Sequence, residues 1–349
     1  MIISKTPLRM SFVGGGSDLP AYYIKHGGAV ISSAINAFVF VIVKEKFDPG
    51  IRFSYSKTEN VNHFSELEHP LAKNALKLLN VNENIEIVSI AEIPSTGTGL
   101  GSSSSFSVGL INALSKYKSK NISKHELAKT ACNLEIDLAK SPIGKQDQYA
   151  AAFGGMKVYK FNPDETVSIE DVLIPDKKIR QLDSEILSFY IGGKRDANSI
   201  LKDQGNQLKN TSKVNSMKKM VDLVWDMKRE LEVGDISNFG SILDENWRLK
   251  REISNSISDK YIDEIYEEAI LCGSSGGKLL GAGGGGFMIF HAPTNEIKNK
   301  LRDKLKNLRE VAFKIESQGS RIINFEWFNE AIAYEGISKG SCFSNTSSL

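Results

Sequence analysis

The sequence predicts a two-domain α+β protein, with a first half rich in strands and a second half rich in helices. The chain has 349 residues, which is long for a single hydrophobic core. β-branched and aromatic residues dominate residues 29–35 and 38–46, as they do in strands. After Leu187 the pattern changes to long stretches of helical character. We expect one domain over 1–180, a second over 181–337, and a flexible Ser/Gly-rich tail over 338–349.

The first half is predicted to alternate strands with helices. Its strands are expected at residues 2–4, 9–13, 29–35, 38–46, 51–55, 85–93 and 156–161. Helices are expected at 70–79, 101–116, 124–140 and 144–152. Ser123 and Glu126 form a capping box that begins the third of these helices, and Ser141-Pro142 ends it. The polar stretch 162–180 is predicted to be a connecting segment.

The second half is predicted to contain long helices between short strands. After a strand near Leu187, helices are expected at 197–231, with a break near Asn210, and at 236–251, 260–272 and 296–308. Residues 276–290 are predicted to be a glycine-rich turn that enters a strand at 286–289, and further strands are expected at 312–315 and 322–325. No internal repeat is visible.

Composition and charge exclude several classes of protein. The net charge is only +2, from 44 basic and 42 acidic residues, which does not favour binding to nucleic acid or to a membrane surface. The longest apolar stretch, 29–43, contains Asn36 and is too short to span a bilayer. The N-terminus lacks the layout of a signal peptide. The three cysteines lie far apart and form no CxxC pair, which argues against a disulfide framework or a metal site built from cysteines. We therefore expect a cytoplasmic protein.

A glycine-rich segment between a strand and a helix is the strongest functional signal. Residues 94–105 read PSTGTGLGSSSS, with glycines at alternate positions that let backbone amides approach a ligand. The helix that follows offers free N–H groups and the positive end of its dipole, which suits a phosphate. No lysine follows the last glycine, so this is not a GxxxxGK[ST] loop. The alternative, a flexible linker, fits poorly between two structured elements. The predicted phosphate-binding residues are Gly97, Thr98, Gly99, Leu100, Gly101, Ser102, Ser103 and Ser104.

Two further glycine-rich segments lie at 14–16 and 281–286. The second contains a literal GxGxxG, but a strand follows it rather than a helix, so it is not a dinucleotide fingerprint. Neither HRD nor DFG follows, so the segment is not a protein-kinase signature either. Taken in order, the three segments resemble the motifs of the GHMP kinases, the superfamily of galactokinase, homoserine kinase, mevalonate kinase and phosphomevalonate kinase. This resemblance implies ATP and Mg²⁺, an N-terminal nucleotide-binding domain, and a ferredoxin-like (α/β-plait) C-terminal domain, with the active site in the cleft between them.

Within that superfamily, four stretches most resemble the bacterial D-glycero-D-manno-heptose 7-phosphate kinases. They are PLRMSFVGGGSDLPAYY, LGSSSSFSVGLINAL, IGKQDQYAAAFGG and FYIGGKRDANSIL. The resemblance implies phosphorylation of the anomeric O1 to give a 1,7-bisphosphate for nucleotide-activated heptose. A fucokinase- or galactokinase-type activity on an unphosphorylated sugar is the alternative, with a mevalonate-type kinase third. A non-catalytic ATP- and sugar-binding sensor is the alternative from another class, and whether the chain dimerises stays open.

The resemblance also suggests roles for individual residues. Asp147 matches the catalytic aspartate, and a carboxylate there can accept the proton of a sugar hydroxyl. From composition alone, a surface carboxylate would be the more common interpretation. Lys145 is expected either to pair with Asp147 or to be solvated. Arg9 matches a cation near the transferred phosphate, where it would offset developing charge.

The same resemblance implies that Glu135 and one serine hold Mg²⁺. Glu135 lies at the edge of an apolar stripe on its helix, so it needs a partner. Mg²⁺ prefers oxygen ligands, and one carboxylate, one hydroxyl and phosphate oxygens suffice. Ser103 is the chosen serine, with Ser102 and Ser104 as rivals. A salt bridge at the helix edge is the alternative for Glu135.

The predicted substrate-binding residues come from three segments of the chain. Asp18, in the first glycine turn, resembles an acidic residue that accepts hydrogen bonds from sugar hydroxyls, although aspartate is also a common turn residue. Lys194 and Arg195 are candidates for the 7-phosphate, or a surface basic pair. Trp247 is expected to be buried and Lys250 solvated. The full predicted set is Gly15, Gly16, Ser17, Asp18, Lys194, Arg195, Gly283 and Gly284.

Overall fold

This computed structural model describes residues 1–82, 84–93, 97–193 and 196–323. Within these residues the strands form two β-sheets. The first sheet has eight strands: β1 (Ile2–Val13), β2 (Gly28–Glu45), β3 (Ile51–Ser54), β4 (Thr58–Val61), β5 (Ile85–Ala91), β6 (Met156–Phe161), β7 (Val167–Asp171) and β12 (Arg321–Ile323). The second has four: β8 (Ile186–Gly192), β9 (Gly276–Leu279), β10 (Gly286–His291) and β11 (Arg309–Glu310).

The described helices are α1 (Pro20–His26), α2 (Pro70–Leu78), α3 (Ser102–Tyr117), α4 (Lys124–Cys132), α5 (Gln146–Phe153), α6 (Asp176–Glu185), α7 (Ala197–Gln207), α8 (Thr211–Glu232), α9 (Phe239–Ile253), α10 (Lys260–Leu271) and α11 (Asn295–Lys304). A 3₁₀ turn covers Phe64–Glu66, and α4 continues directly into a π-helix at Asn133–Leu138. The hydroxyl of Ser123 accepts the N–H of Glu126 at 3.2 Å, so the expected cap is present. None of the described helices combines the length and apolar character of a bilayer span.

Strand β2 is the long central member of the first sheet and corrects one expectation. Asn36 was expected to separate two strands, but β2 runs through it for 18 residues. The strand instead changes its neighbour there: residues 28–33 pair with β6, and residues 39–45 pair with β5. Asn36 bonds to Lys314, accepting its N–H on the side chain at 2.7 Å. Likewise the two short strands expected at 2–4 and 9–13 form one strand, β1, with a register shift after Pro7.

The helix α3 packs against β1 and β2 as the central helix of the first half. Most of its residues are buried, including the polar Ser104, Ser105 and Ser107. Gly109 allows the close approach, because a Cβ there would lie 2.9 Å from Thr6 Oγ1. The hydroxyl of Ser105 donates to Pro7 O at 2.8 Å. These contacts fix the N-terminus of α3 beside β1.

The second sheet has the strand order β11-β8-β10-β9, with antiparallel pairs. Numbered along the chain, this is the order 4-1-3-2 of a β-α-β-β-α-β unit, so the expected ferredoxin-like arrangement is confirmed. Helices α7–α10 connect the first two of its strands, and α11 connects the last two. Strand β12 then returns the chain to the first sheet by pairing with β1. The proposed division at residue 180 stays a prediction.

Other segments also differ from expectation, and α1 and β4 were not predicted. The stretch 162–180 contains β7 and the first half of α6 rather than a plain connection. Strand β9 was missed because it begins with Gly276 and Gly277, which carry no side chain for a periodic pattern; a Cβ on Gly277 would lie 2.4 Å from Ile289 O. The strand expected at 312–315 is β11 at Arg309–Glu310, and Ile315 makes only an isolated bridge to Ile35.

Candidate active site

A cavity of about 620 Å³ is lined by residues from both halves of the chain. The first half contributes the end of β1, the turn after it, the segment 97–104, Glu135 and residues 141–147. The second half contributes Gly193, the first turns of α7, Lys250 of α9, and the pair Gly281 and Ala282. Most of the predicted site residues in the described part of the chain therefore lie around one cavity.

The segment 97–101 is held in place by a second glycine turn. Gly97, Gly99 and Gly101 have φ values of +73°, +74° and +74°, a region that favours glycine. A Cβ on Gly99 would lie 2.3 Å from Leu280 O, and a Cβ on Gly281 would lie 2.5 Å from Gly99 Cα. Phe287 N donates to Thr98 O at 3.1 Å. The two glycine segments thus pack backbone against backbone.

The N-terminus of α3 opens toward this cavity. Gly101 is its N-cap, and no side chain caps the helix. The N–H of Ser105 donates to Gly101 O at 2.9 Å, whereas the N–H groups of Ser102, Ser103 and Ser104 precede this first intrahelical bond. Free amides at the positive end of a 16-residue helix have the geometry that can bind an anion. Leu100 lies beneath, fully buried, and its carbonyl accepts the N–H of Arg9 at 3.0 Å.

Arg9 and Asp147 form a bidentate ion pair in the cavity. Arg9 Nε and Nη2 donate to Asp147 Oδ1 and Oδ2, each at 2.7 Å, and Arg9 Nη1 donates to Gly99 O at 2.7 Å. Arg9 is buried and Asp147 is partly exposed. Lys145 does not pair with Asp147: its Nζ donates to Glu165 O at 3.2 Å and lies over the ring of Tyr23. The partner that orients Asp147 is therefore Arg9.

Asp18 is buried in the turn after β1 and accepts three N–H donors. Its Oδ1 accepts Gly16 N at 3.0 Å and Gln146 Nε2 at 3.1 Å, and its Oδ2 accepts Gln146 N at 3.2 Å. Burial raises the pKa of the Asp18 carboxyl, and the charge of Asp147 raises it further, while the bonds to Gln146 and Gly16 oppose this shift. Gln146 was not predicted from sequence. Its Oε1, like the hydroxyl of Ser11, is buried at the cavity without a hydrogen-bond partner among the described residues.

Glu135 and Ser103 lie together, as predicted. The π-helix turns Glu135 inward, and such segments are frequent at functional sites. Ser103 Oγ donates to Glu135 Oε1 at 2.8 Å, and Gln148 Nε2 donates to Glu135 Oε2 at 2.5 Å. Burial raises the pKa of the Glu135 carboxyl, against the hydrogen bonds of Ser104, Gln148 and Ser103. A carboxylate and a hydroxyl beside an anion site are the all-oxygen donor set that fits Mg²⁺.

Lys250 lines the cavity, which corrects the expectation that it is solvated. It is only 4% exposed, and its Nζ donates to Gly281 O at 2.6 Å. Burial lowers the pKa of Lys250 to about 8, although Asp18 and Asp147 oppose this shift. The sequence held a signal for this position, because Leu243, Trp247, Lys250 and Ile253 recur at helical spacing and all are buried. Trp247 is fully buried, as expected.

Several predicted residues do not line the cavity. Ser17 is turned away, with its hydroxyl donating to Ala29 O at 2.9 Å. Gly283 and Gly284 pack on Ile257: a Cβ on Gly283 would lie 2.7 Å from Ile257 Cα, and Gly284 N donates to Ile257 O at 2.9 Å. Leu100 lies beneath the loop. Lys194 and Arg195 lie outside the described residues.

Two family models match stretches of this chain, one in each half. Residues 70–155 match the GHMP kinases N terminal domain, and residues 227–307 match the GHMP kinases C terminal domain. The first match covers the glycine segment, Glu135 and Asp147, and the second covers α9 and the turn at 281–286. Both matches agree with the resemblance drawn from the motifs.

Individual proteins are similar over most of the chain. A D-glycero-alpha-D-manno-heptose 7-phosphate kinase of Campylobacter jejuni is 27% identical over 313 residues, covering 86% of this chain and 92% of that protein. A bifunctional fucokinase/GDP-fucose pyrophosphorylase of Arabidopsis thaliana is 26% identical, covering 88% of this chain but only 31% of that protein. The crystal structure of a D-glycero-D-manno-heptose 1-phosphate kinase from Bacteroides thetaiotaomicron shares the fold, with a TM-score of 0.77, 22% identity, and coverage of 93% of this chain and 99% of that one.

Proposed function

We propose a substrate and a mechanism for this chain on the premise that it belongs to the GHMP kinases and is an ATP-dependent sugar phosphotransferase. The proposed reaction transfers the terminal phosphoryl group of ATP to the anomeric O1 of D-glycero-D-manno-heptose 7-phosphate, giving the 1,7-bisphosphate. The observation that supports phosphoryl transfer is the pair Arg9 and Asp147, held beside Gly99 in the same cavity as the open N-terminus of α3. The choice of heptose 7-phosphate is supported by the similarity to the kinase of Campylobacter jejuni.

The phosphates of ATP are proposed to bind residues 97–104. The amides of Ser102, Ser103 and Ser104 would donate to phosphate oxygens at the positive end of α3. The glycines permit this approach because no side chain projects between the backbone and the ligand. Gly281–Gly286 serves as the wall that holds the segment in place, and we assign Gly283 and Gly284 to that support.

Glu135 and Ser103 would hold Mg²⁺. Their oxygens are 2.8 Å apart at the start of α3, where they face the proposed phosphate site. When bound, the cation supplies charge neutralisation for the phosphate oxygens. Because Glu135 is buried away from water, its charged carboxylate is unfavourable unless a cation lies beside it. This agrees with the raised pKa of the Glu135 carboxyl.

Asp147 is proposed to accept the proton of the O1 hydroxyl. Arg9 fixes the plane of its carboxylate through two bonds, so the orientation is set before substrate arrives. The O1 oxygen then forms a bond to phosphorus as the bond from phosphorus to the ADP oxygen breaks, and the hydroxyl proton passes to an Asp147 oxygen. Because phosphoryl transfer needs mainly positioning and charge stabilisation, Asp147 both orients the O1 hydroxyl and accepts its proton.

The sugar is proposed to bind next to Asp18, Gly15 and Gly16. One lone-pair direction of Asp18 Oδ2 stays free for a hydroxyl, and Ser11 Oγ and Gln146 Oε1 offer further polar contacts. We assign the 7-phosphate to Lys194 and Arg195. The residues on either side of that pair, Gly193 and Asp196, both line the cavity. Ser17 would act indirectly, by fixing the turn.

The alternative with a specific observation behind it is a fucokinase-type activity on a free sugar, since one similar protein is named for fucokinase activity. A galactokinase-type activity belongs to the same alternative. A non-catalytic sensor is disfavoured because Arg9, Ser103, Glu135 and Asp147 are brought together in one cavity. Within the proposal, the product serves cytoplasmic synthesis of nucleotide-activated heptose for a capsule or surface polysaccharide. Whether the chain forms a homodimer stays open.

A kinase assay over a panel of sugars and sugar phosphates tests the proposal, with phosphorus NMR to identify the phosphorylated position. We expect turnover on heptose 7-phosphate and a new phosphate signal at O1. Asp147→Asn, prepared identically, controls for contaminating kinases. Arg195→Ala should raise KM for the phosphorylated sugar more than for any free sugar. Faster turnover on fucose or galactose would replace the heptose assignment with the alternative.

A further inference from the structure

Two cationic side chains bond to the two glycine segments from opposite halves of the chain, one to Gly99 and one to Gly281. Arg9, on β1, donates from Nη1 to Gly99 O at 2.7 Å. Lys250, on α9, donates from Nζ to Gly281 O at 2.6 Å. Gly281 in turn packs directly on Gly99, since a Cβ on Gly281 would lie 2.5 Å from Gly99 Cα. Both positive charges therefore lie beside the middle glycine of the proposed phosphate segment.

The two charges are not equally available to a ligand. Both carboxylate oxygens of Asp147 accept from Arg9, so the guanidinium charge is already paired. For Lys250, no carboxylate oxygen of the described residues lies within 4.0 Å of Nζ, and its hydrogen-bond partner there is a carbonyl. An ammonium has three N–H donors. Lys250 thus keeps donors and net charge for a group inside the cavity.

A buried ammonium without a carboxylate partner is costly. The charged groups that act on Lys250 are Asp18, Arg9 and Asp147, and the positive charges of Lys250 and of Lys278, on β9, repel each other. Neither carboxylate forms an ion pair with Lys250: Asp18 accepts three N–H bonds from Gly16 and Gln146, and Asp147 is bound by Arg9. The cost is offset when an anion binds beside Gly99.

We propose that Lys250 is a further catalytic residue, whose ammonium binds the oxygens of the phosphoryl group during its transfer from ATP. This rests on the proposed function only in that ATP binds through residues 97–104. Lys250 forms no covalent bond and keeps its proton throughout. It supplies the unpaired positive charge that Arg9, held by Asp147, does not supply.

Binding of two nucleotides separates this role from a structural one. ADP lacks the terminal phosphate, and AMP-PNP is a slowly hydrolysed ATP analogue that carries it. In Lys250→Met, we expect AMP-PNP affinity to fall by about 10- to 100-fold, as for loss of a charged hydrogen bond, and ADP affinity to change by less than about twofold. Arg248→Met removes an exposed cation from the same helix and should change neither affinity. Lys250→Arg should recover part of the AMP-PNP affinity.

A wild-type measurement keeps the proposal testable should the variants fold poorly. The preference for AMP-PNP over ADP should decline as the pH rises above about 8, where the unliganded Lys250 ammonium loses its proton. A preference that is flat through this range, or equal losses of ADP and AMP-PNP affinity in a folded Lys250→Met, would overturn the role. None of these measurements needs a sugar, so a wrong acceptor assignment would leave this result intact.

Discussion

Arg9 binds both carboxylate oxygens of Asp147, with Nε and Nη2 each 2.7 Å from an oxygen, although the two residues lie 138 positions apart in the chain. The bidentate geometry fixes the carboxylate plane and keeps a proton acceptor aimed into the cavity. The same arginine bonds to the carbonyl of Gly99, so the proposed base and the proposed phosphate segment are positioned by one side chain.

Asp147→Asn should lower kcat by roughly two to four orders of magnitude while ATP binding persists. The amide keeps the shape of the carboxylate but cannot accept the hydroxyl proton and weakens the bond to Arg9. Steady-state kinetics with isothermal titration of ATP checks this. Asp164→Asn alters an exposed carboxylate outside the cavity and should match wild type. An unchanged kcat in Asp147→Asn would remove Asp147 from the mechanism.

Glu135→Gln should raise the Mg²⁺ concentration needed for half-maximal activity by about tenfold or more, because the amide loses the charge that attracts the cation. A Mg²⁺ titration at saturating ATP measures the change. Asp137→Asn removes an exposed carboxylate from the same π-helix and should leave the Mg²⁺ requirement unchanged. Equal responses of the two variants would show that Glu135 is not a ligand.

Gly99→Ala should destabilise the protein and weaken ATP binding more than Gly192→Ala does. Both glycines have φ of +74°, so the left-handed strain of about 1–2 kcal/mol is common to the two variants. Only Gly99 also meets backbone, with Leu280 O 2.3 Å from the new Cβ, whereas nothing lies within 4 Å of the Cβ at Gly192. Denaturant unfolding compares the two free energies of unfolding. Similar losses would mean that the two glycine segments do not constrain each other.

His291 should make the protein less stable in acid. It is buried, with Nε2 at 3.0 Å from Glu185 Oε2 and Nδ1 at 2.6 Å from Ser275 Oγ. Burial lowers the pKa of His291, more than Glu185 raises it, so the folded state binds the proton less readily than the unfolded chain. The free energy of unfolding therefore falls as the pH drops below the unfolded value of about 6.5.

The measurement is a pair of denaturant unfolding curves, at about pH 7.5 and about pH 5.5, for wild type and His291→Gln. Because Asp18 and Glu135 have raised pKa values, which act in the opposite direction, only the difference between the two proteins is diagnostic. Wild type should lose stability relative to the variant on acidification. A pH-independent difference would contradict a neutral buried His291.

The sequence predicted most elements of the first sheet, and its error at Asn36 is instructive. A polar residue inside an apolar run marks a change in the surroundings of the strand. It cannot tell whether the chain turns there or the strand exchanges one neighbour for another, because that depends on β5 and β6, which lie far along the chain. The register of β2 is thus a tertiary property.

The order of the motifs along the chain identified cavity residues that lie within or beside those motifs, among them Arg9, Glu135 and Asp147. It failed where a partner comes from a distant element. Lys145 lies two positions before Asp147, and of its two expected states the pairing with Asp147 is wrong: its Nζ bonds to Glu165 O, since α5 presents Asp147 to β1 instead. Lys250 was expected in solvent because lysine usually is, although its helical spacing with Trp247 pointed inward. The place of Lys250 on the buried face of α9, rather than the usual exposure of lysine, determined where its side chain lies.

During translation, Gly99 leaves the ribosome long before Gly281, the residue whose backbone it rests against. A nascent chain that ends before Gly281 lacks the backbone against which the segment at Gly99 packs. The proposed nucleotide site would therefore form only after the second half has been made, and we expect fragments of the first half to bind ATP more weakly than residues 1–349.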